Sequence, residues 1–248
     1  MTAMTAEAAA RRAPEDFAAF VDVEAWIFDL DNTLYPRASN LFGQVDKRIR
    51  AYVSRLLNVD ETEADRIQKG FYRDHGTTLR GLMLHHQVDP DEFLSFVHDI
   101  DHSALVPDPG LCKAILRLPG KKYIFTNGSR QHAEKVAARL GFTNHFEDIF
   151  DIVAADLLPK PEREAYQRFV TRFGVAPERA AMFEDLSRNL VVPKEVGMRT
   201  VLVVPSGTRE VFKDEWEFEG RDDKHVDFVT DDLGRFVSQI ADAIEAHR

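Results

Sequence analysis

Short apolar runs alternate with helical periodicities along most of this chain. Apolar runs bounded by turn residues predict strands, and amphipathic spacing ended by glycine or proline predicts helices. The predicted strands span residues 25–28, 121–126, 149–154, 180–183 and 200–204, with a weaker one at 226–229. The predicted helices between and after them span residues 129–140, 161–173, 186–196 and 232–246. This alternation predicts an α/β fold with a doubly wound parallel sheet.

Residues 36–106 interrupt the alternation with helical periodicity alone. Apolar residues at three- and four-residue spacing predict an amphipathic helix over residues 41–57, and shorter helical patterns follow at 63–73, 78–86 and 91–97. We therefore expect an all-helical domain inserted directly after the first strand. The predicted domains are an N-terminal tail at 1–22, an α/β core formed by 23–36 and 107–248, and the helical domain at 37–106.

Composition and charge narrow the possible functions. A content of 44% hydrophobic and 30% charged residues is typical of a soluble globular protein. The formal charge of −10 argues against a nucleic-acid polymer as partner, and no apolar stretch approaches the roughly 20 residues that span a membrane. Residues 1–14 lack the apolar core of a secretion signal, so we expect a disordered tail there. The single cysteine, Cys112, excludes an internal disulfide and fits a reducing, cytoplasmic location.

The first strand ends in two carboxylates and a hydroxyl, namely Asp29, Asp31 and Thr33. Open α/β sheets bind ligands at the carboxyl ends of their strands. Burying two acids so close together is costly unless a cation or a proton compensates. The segment therefore predicts a magnesium-assisted carboxylate nucleophile, while an ordinary polar turn remains the alternative.

Three later segments place further polar groups at element ends. The strand at 121–126 runs into Thr126-Asn127-Gly128-Ser129, where a helix N-terminus offers backbone amides to phosphate oxygens. Lys160 lies between two prolines at a predicted helix start, where a positive charge opposes the helix dipole. An anion to be neutralised explains this lysine, and a solvated lysine is the alternative. Glu184 and Asp185 end a third strand, and a hard cation explains both pairs of acids together.

Taken in order, these four segments resemble the motifs of the haloacid dehalogenase (HAD) superfamily of phosphotransferases. The matching elements are DLDNT at 29–33, TN at 126–127, KP at 160–161 and ED at 184–185. The helical insertion resembles the C1 cap of that superfamily, and the likeness covers about residues 23–205. The resemblance implies a Rossmann-like HAD core, magnesium as cofactor and a small phosphate ester as substrate.

A closer resemblance is to the pyrimidine 5'-nucleotidase-like branch of that superfamily. It implies a phosphatase of nucleoside monophosphates. The similar stretches are DNTLYP at 31–36, GTTLRGL at 76–82, IFTNGS at 124–129, PKP at 159–161 and FEDLSRNL at 183–190.

The resemblance and the chemistry together assign roles to the acids. Asp29 attacks phosphorus and forms an aspartyl-phosphate. Asp31 protonates the leaving oxygen and later activates water, which requires Asp31 to be protonated part of the time. A neighbouring carboxylate is expected to help by raising its pKa. Magnesium is held by the carboxylates of Asp29 and Asp185 and by the backbone carbonyl of Asp31. Glu184 either orients these groups from outside the metal's contacts, which we favour, or binds the metal directly.

Phosphate contacts are assigned to the other two motifs. Thr126 and the backbone amides of Asn127 and Gly128 bind phosphate oxygens, and Lys160 offsets charge in the transition state. Asn189 is expected to steady Asp185 or Lys160, with a packing or solvent role equally open.

Specificity is expected from the helical domain, because phosphoryl chemistry does not need it. Arg80 is the predicted contact to the leaving group, with His85 or His86 as weaker candidates and a solvated arginine as the alternative.

Other functions left open are a phosphatase of another metabolite, a phosphomutase and a catalytically silent binding module. Dehalogenation is disfavoured because halide displacement does not need the acid that Asp31 supplies. Neither the base and sugar of the substrate nor the oligomeric state follows from the sequence.

Overall fold

The computed structural model describes residues 16–142, 144–205 and 224–248. In these ranges the chain forms six strands: β1 Ala25–Phe28, β2 Lys121–Phe125, β3 Asp148–Phe150, β4 Ala180–Glu184, β5 Arg199–Val203 and β6 Phe228–Thr230. The α-helices are α1 Leu41–Leu57, α2 Glu61–His75, α3 Thr78–His86, α4 Pro90–Val97, α5 Pro109–Arg117, α6 Arg130–Leu140, α7 Arg163–Phe173, α8 Val191–Glu195 and α9 Leu233–Ala246. Residues 1–15 of the expected N-terminal tail at 1–22 lie outside the described residues. Phe17–Phe20, within that range, form a 3-10 helix, and Phe20 is buried in the core.

The strands form one parallel sheet in the order β3-β2-β1-β4-β5-β6. After β1 the chain adds β2 and β3 on one side, and then crosses to the other side of β1 to add β4, β5 and β6. The direction of strand addition therefore reverses beside β1. This is the doubly wound arrangement, whose ligand site lies at the reversal. In register, Phe28 of β1 lies opposite Ile124 of β2 and Phe183 of β4. The predicted fold class is confirmed.

Side chains of β1 alternate between two apolar layers, as the two-residue period of a strand requires. Trp26 and Phe28 face the layer covered by α5, α6 and α9. Ile27 faces the layer covered by α7 and α8. All four residues of β1 are buried, which explains why the strand is a continuous apolar run rather than an alternating one.

Helices α1 to α4, which follow β1 and precede β2 in the chain, pack around a third apolar cluster. Helices α2, α3 and α4 each begin at a side-chain N-cap: Asp60, Thr77 and Asp89 accept hydrogen bonds from backbone amides in the first turn. The cluster also includes Ile152 from the loop after β3. The predicted helical stretch therefore folds around its own core and packs on the α/β part through that loop. We call residues 37–106 the helical insert.

Two predicted elements are shorter in the structure. The strand predicted at 149–154 ends at Phe150, because the Asp151 carboxylate accepts hydrogen bonds from the amides of Arg130 and Ala154 and turns the chain. The helix predicted at 186–196 is a 3-10 turn, Ser187–Leu190, followed by the single turn of α8.

A third difference concerns the position of Lys160. The helix predicted from residue 161 begins at Arg163, with Glu162 as its N-cap. The Lys160-Pro161 peptide bond is cis. Because α7 begins only at Arg163, Lys160 lies in the loop between β3 and α7, and the predicted conflict with a helix dipole does not arise. In the part of the chain that the structure describes, no helix has the length and apolarity of a membrane span.

Candidate active site

Polar side chains from three adjacent strands meet at one edge of the sheet. Asp29 follows β1, Thr126 follows β2, and Glu184 is the last residue of β4. Because β1 pairs in parallel with both neighbours, the carboxyl ends of all three strands lie side by side. The loop before α7 brings Lys160 to the same place. The four segments that the sequence predicted to form a site are thus brought together.

Lys160 is the centre of the site. It is 1% exposed, and its Nζ lies 2.6 Å from Asp29 Oδ1 and 2.7 Å from Glu184 Oε1. It also donates to the carbonyl of Phe125 at 2.9 Å. Burial lowers the pKa of Lys160, but the two carboxylates outweigh burial and raise it, so the ammonium keeps its charge. The solvated alternative for this lysine was wrong.

The backbone of Lys160 is fixed by the side chain of Asn127. The Asn127 amide oxygen accepts from the Lys160 N–H at 2.8 Å, and its Nδ2 donates to the Lys160 carbonyl at 3.2 Å. This pair of bonds ties the loop before α7 to the end of β2. Sequence reasoning assigned Asn127 a phosphate contact through its backbone and missed this role of its side chain.

The carboxylates of Asp29, Glu184 and Asp185 form a largely buried cluster in which the neighbouring cations do not fully offset the negative charge. One carboxylate oxygen from each of Asp29, Glu184 and Asp185 lies within 4.8 Å of the others. Burial raises the pKa of Asp29 to about 7, with Lys160 opposing and Glu184 adding to the shift. Burial and the charges of Glu184 and Asp29 raise the pKa of Asp185 well above its ordinary value, although Arg37 lies 3.6 Å away. A divalent cation bound by oxygen atoms is the partner that such a cluster suits.

Both oxygens of Glu184 are occupied by protein donors. Oε1 accepts from Lys160 and from Asn189 Nδ2 at 2.6 Å, and Oε2 accepts from the amide of Leu186 at 2.7 Å. This arrangement favours an orienting role for Glu184. Asn189 contacts Glu184 and so reaches Lys160 through that carboxylate rather than directly, and Tyr166 anchors the Asn189 carbonyl at 2.6 Å.

Asp31 has partners that sequence reasoning missed. Its Oδ1 accepts from the hydroxyl of Tyr35 and lies 3.0 Å from Nε2 of His132 in α6. Burial raises the pKa of Asp31, but His132 and the Tyr35 hydrogen bond outweigh burial and lower it. The expectation of a pKa raised by a neighbouring carboxylate was wrong for this reason. The sequence held one indication of the His132 contact. His132 lies three residues after the predicted helix cap Ser129, in the first turn of α6, which follows the end of β2.

The predicted phosphate-binding loop follows β2. Thr126 is 1% exposed, and its hydroxyl accepts from the Gly128 amide at 2.9 Å. That amide therefore has a protein acceptor in this structure. A Cβ added at Gly128 would lie 3.3 Å from both the Thr126 hydroxyl and the His132 ring, so glycine keeps this loop close to both groups.

The helical insert contributes Arg80 beside the lysine loop. Its Nη2 lies 3.9 Å from Glu162 Oε1, and its Nη1 is buried with no hydrogen-bond acceptor among the described residues. Gly76 packs against Pro159 and the carbonyl of Lys160. His85 and His86 are exposed and make ring contacts with Phe71, inside the insert. The structure thus places Arg80 beside the loop that carries Lys160, and the roles of Arg80 and of His85 or His86 in binding the leaving group stay predictions.

Comparison with known proteins identifies the family. A profile of haloacid dehalogenase-like hydrolases matches residues 23–197. Phosphate metabolism protein 8 of Saccharomyces cerevisiae is 25% identical over 197 residues, which are 72% of this chain and 61% of the yeast protein. Glyceraldehyde 3-phosphate phosphatase of Methanocaldococcus jannaschii is 24% identical over 212 residues, 78% of this chain and 90% of that protein. The chain thus spans less than two thirds of the yeast relative.

Solved structures show the same fold at lower identity. L-2-haloacid dehalogenase from Xanthobacter autotrophicus superposes with a TM-score of 0.57 at 18% identity, covering 88% of this chain and 98% of that one. A HAD phosphatase from Thermococcus onnurineus gives a TM-score of 0.56 at 19% identity, covering 86% and 96%.

Proposed function

Because this chain belongs to the haloacid dehalogenase-like hydrolases, we propose that it is a magnesium-dependent phosphomonoesterase that forms an aspartyl-phosphate at Asp29. One observation carries the proposal. The ammonium of Lys160 is buried between Asp29 and Glu184, beside the further carboxylate of Asp185. A buried lysine next to an excess of acids suits a site that receives a dianionic phosphate together with a divalent cation.

The residues present fit magnesium. Burial and neighbouring carboxylates raise the pKa values of Asp29 and Asp185 even though Lys160 and Arg37 lie beside them. A hard cation bound by these oxygens would offset the remaining negative charge. The carboxylates of Asp29 and Asp185 and the backbone carbonyl of Asp31 would hold it. When bound, magnesium polarises the phosphoryl group and neutralises charge on its oxygens.

The chain's own residues account for the two chemical steps. Asp29 attacks phosphorus while the bond to the leaving oxygen breaks, and Asp31 donates the proton that this oxygen takes up. Water then attacks phosphorus, Asp31 accepts its proton, and the bond to Asp29 breaks to release phosphate. Thr33 donates to Asp29 Oδ2 at 3.1 Å and orients the nucleophile. Thr126 binds a phosphate oxygen, and Lys160 balances the charge that accumulates.

As substrate we propose a pyrimidine nucleoside 5'-monophosphate. The similarity of the segments at 31–36, 76–82 and 183–190 to the pyrimidine 5'-nucleotidase-like branch supports this class. Arg80 offers a buried donor beside the lysine loop that suits a polar leaving group. A second candidate is a triose phosphate, favoured by the similarity to the glyceraldehyde 3-phosphate phosphatase of Methanocaldococcus jannaschii. The single cysteine supports a cytoplasmic site of action.

Hydrolysis of p-nitrophenyl phosphate tests the proposal. We expect turnover with magnesium, none with EDTA, and none in Asp29→Asn. The matched control is Asp91→Asn, an exposed acid in the first turn of α4, which should retain full activity. Magnesium-independent turnover, or an active Asp29→Asn enzyme, would contradict the mechanism, and no turnover at all would favour a silent binding module.

A panel of phosphate esters tests the substrate. It should include UMP, CMP, AMP, phosphoglycolate and glyceraldehyde 3-phosphate, compared by kcat/KM. The proposal expects UMP or CMP to lead. A product that carries phosphate at a new position would identify a phosphomutase instead.

A further inference from the structure

The hydrogen bonds to the Asp31 carboxyl converge on one of its oxygens. Among the described residues, the Tyr35 hydroxyl and His132 Nε2 both lie at Oδ1. His132 is 101 residues from Asp31 in the chain, and it is 1% exposed. Two contacts on the same oxygen fix the orientation of the carboxyl group.

His132 is itself held by a second histidine that comes from the helical insert. The rings of His98 and His132 stack with centroids 4.4 Å apart and an interplanar angle of 14°. His98 Nδ1 lies 3.0 Å from the hydroxyl of Ser129, and that hydroxyl caps α6 by accepting from the His132 amide at 3.3 Å. His98 directly follows α4. A continuous set of contacts therefore joins the insert to the carboxyl group of Asp31.

We propose that His132 is a positioning residue that aims the Asp31 carboxyl at the leaving oxygen, and that His98 of the insert holds the His132 ring in place. The proposal rests on the proposed function, because it takes Asp31 as the group that protonates the leaving oxygen. It adds that packing of the insert contributes to acid catalysis as well as to substrate selection.

The physical requirement behind this proposal is distance. Proton transfer needs the acid within about 2.6–3.2 Å of the oxygen that it protonates. A misplacement of about 1 Å can cost about 10²-fold in rate. The Asp31 side chain has two rotatable bonds, and the contacts at Oδ1 hold both torsions. Loss of His132 leaves Tyr35 as a single anchor, around which the carboxyl group turns.

Leaving-group dependence separates this role from a structural one. An alkyl phosphate such as UMP releases a strongly basic alkoxide that needs a proton, whereas p-nitrophenolate leaves without one. The ratio of kcat/KM for these esters reports acid catalysis, because kcat/KM includes only steps up to loss of the leaving group. In His132→Phe, which keeps a ring and removes the contact, we expect kcat/KM to fall about 10²-fold for UMP and less than about threefold for p-nitrophenyl phosphate.

Two further variants grade the effect. His132→Gln keeps a side-chain N–H near the position of Nε2 and should recover most of the UMP activity. His98→Phe keeps the stack but loses the Ser129 contact, so its loss should be smaller and equally confined to UMP. The matched control is His102→Phe. Its ring lies 5.7 Å from that of His132, and it should leave the UMP to p-nitrophenyl phosphate ratio at the wild-type value.

Each outcome decides between the two proposals. A ratio of UMP to p-nitrophenyl phosphate kcat/KM that is unchanged in His132→Phe, whether both activities fall equally or neither falls, would overturn the positioning role. It would not affect the proposed phosphatase function. If His132→Phe fails to fold in a thermal melt, the same comparison is made with His98→Phe, and an unchanged ratio in that variant would overturn the role. A wild-type protein that hydrolyses neither ester would remove the proposed function and this inference with it.

Discussion

The strand-end site and the face of the helical insert beside it differ in how firmly their residues are held. At the strand ends, Lys160 is 1% exposed and bonded to two carboxylates and a carbonyl. On the insert, the Arg80 side chain is 26% exposed, and its ion pair with Glu162 is 3.9 Å long. The first region is fixed by several partners for each group. The second keeps donors available for a ligand.

This difference separates two kinds of function. A fully bonded buried network holds charges where the transition state develops them, and its geometry does not depend on which ester is bound. A half-buried arginine with a long ion pair gains most when a ligand supplies its acceptor. We therefore expect substitution of Lys160 to affect all substrates alike, and substitution of Arg80 to change their order.

The largest expected effect follows from Lys160→Met. The substitution leaves Asp29 and Glu184 buried without their cation, so kcat/KM should fall by about 10²–10³-fold on every substrate. The free energy of unfolding should fall by about 3 kcal/mol. Steady-state kinetics on UMP and p-nitrophenyl phosphate, together with urea unfolding, measure both.

The control for that variant is Lys121→Met, an exposed lysine at the start of β2. It should change neither quantity. A Lys160→Met enzyme that lost activity on one substrate and kept it on another would contradict the assignment of the strand ends to shared chemistry.

Arg80→Met tests the other side of the comparison. The Arg80–Glu162 pair is long and partly exposed, so stability should change by less than about 1 kcal/mol. The KM of the preferred substrate should rise about tenfold, since a hydrogen bond to a charged donor is worth about 1.5–3 kcal/mol. Activity on p-nitrophenyl phosphate, which lacks a polar leaving group of that size, should stay within about twofold of wild type.

The matched control is Arg73→Met, on the exposed face of α2. A uniform loss on all substrates in Arg80→Met would assign this arginine to the chemistry instead of to specificity.

The smallest expected effect concerns His98, at the border of the two regions. Burial and the neighbouring His132 lower the pKa of His98 to about 3, with Asp31 opposing. An unfolded histidine binds its proton near pH 6.5, about its ordinary pKa. Between these values the unfolded chain holds more protons, so this residue makes the folded state less stable as pH falls below about 6.5. At pH 5.5, His98→Phe should relieve about 1 kcal/mol of that loss.

Urea unfolding of both proteins between pH 7.5 and 5.5, values that bracket the ordinary histidine pKa of about 6.5, measures this difference. Parallel stability curves for wild type and His98→Phe would contradict the neutral, buried state of the His98 ring.

Much of the strand-end site follows from sequence, because strand ends are easy to locate. A fully buried parallel strand is a continuous apolar run, and the first polar residue after it marks the ligand edge of the sheet. Asp29, Thr126 and Glu184 are found in this way. Lys160 is found by its unusual place between two prolines. Parallel pairing then brings these residues together without any further assumption.

The partners of Asp31 could not be derived in the same way. His132 reaches it only after β1 is paired with β2 and α6 is packed on the sheet, and His98 comes from the end of α4, which packs in a separate apolar cluster. Tyr35 lies only four residues away, but its hydroxyl contact is a matter of side-chain packing too. Such contacts depend on side-chain packing, which periodicity does not encode. The short β3 has a similar cause, because a single carboxylate, Asp151, ends a run that propensity alone would extend.

The most direct test of the central claim is to trap the phosphorylated enzyme. The protein is mixed with substrate and magnesium, quenched, and treated with borohydride, which reduces an acyl phosphate to an alcohol. Peptide mass spectrometry then locates the reduced residue. Our account predicts homoserine at Asp29, dependent on both substrate and magnesium, and at no other acid. Reduction at Asp31 or Asp185, or none in an enzyme that is turning over, would contradict it.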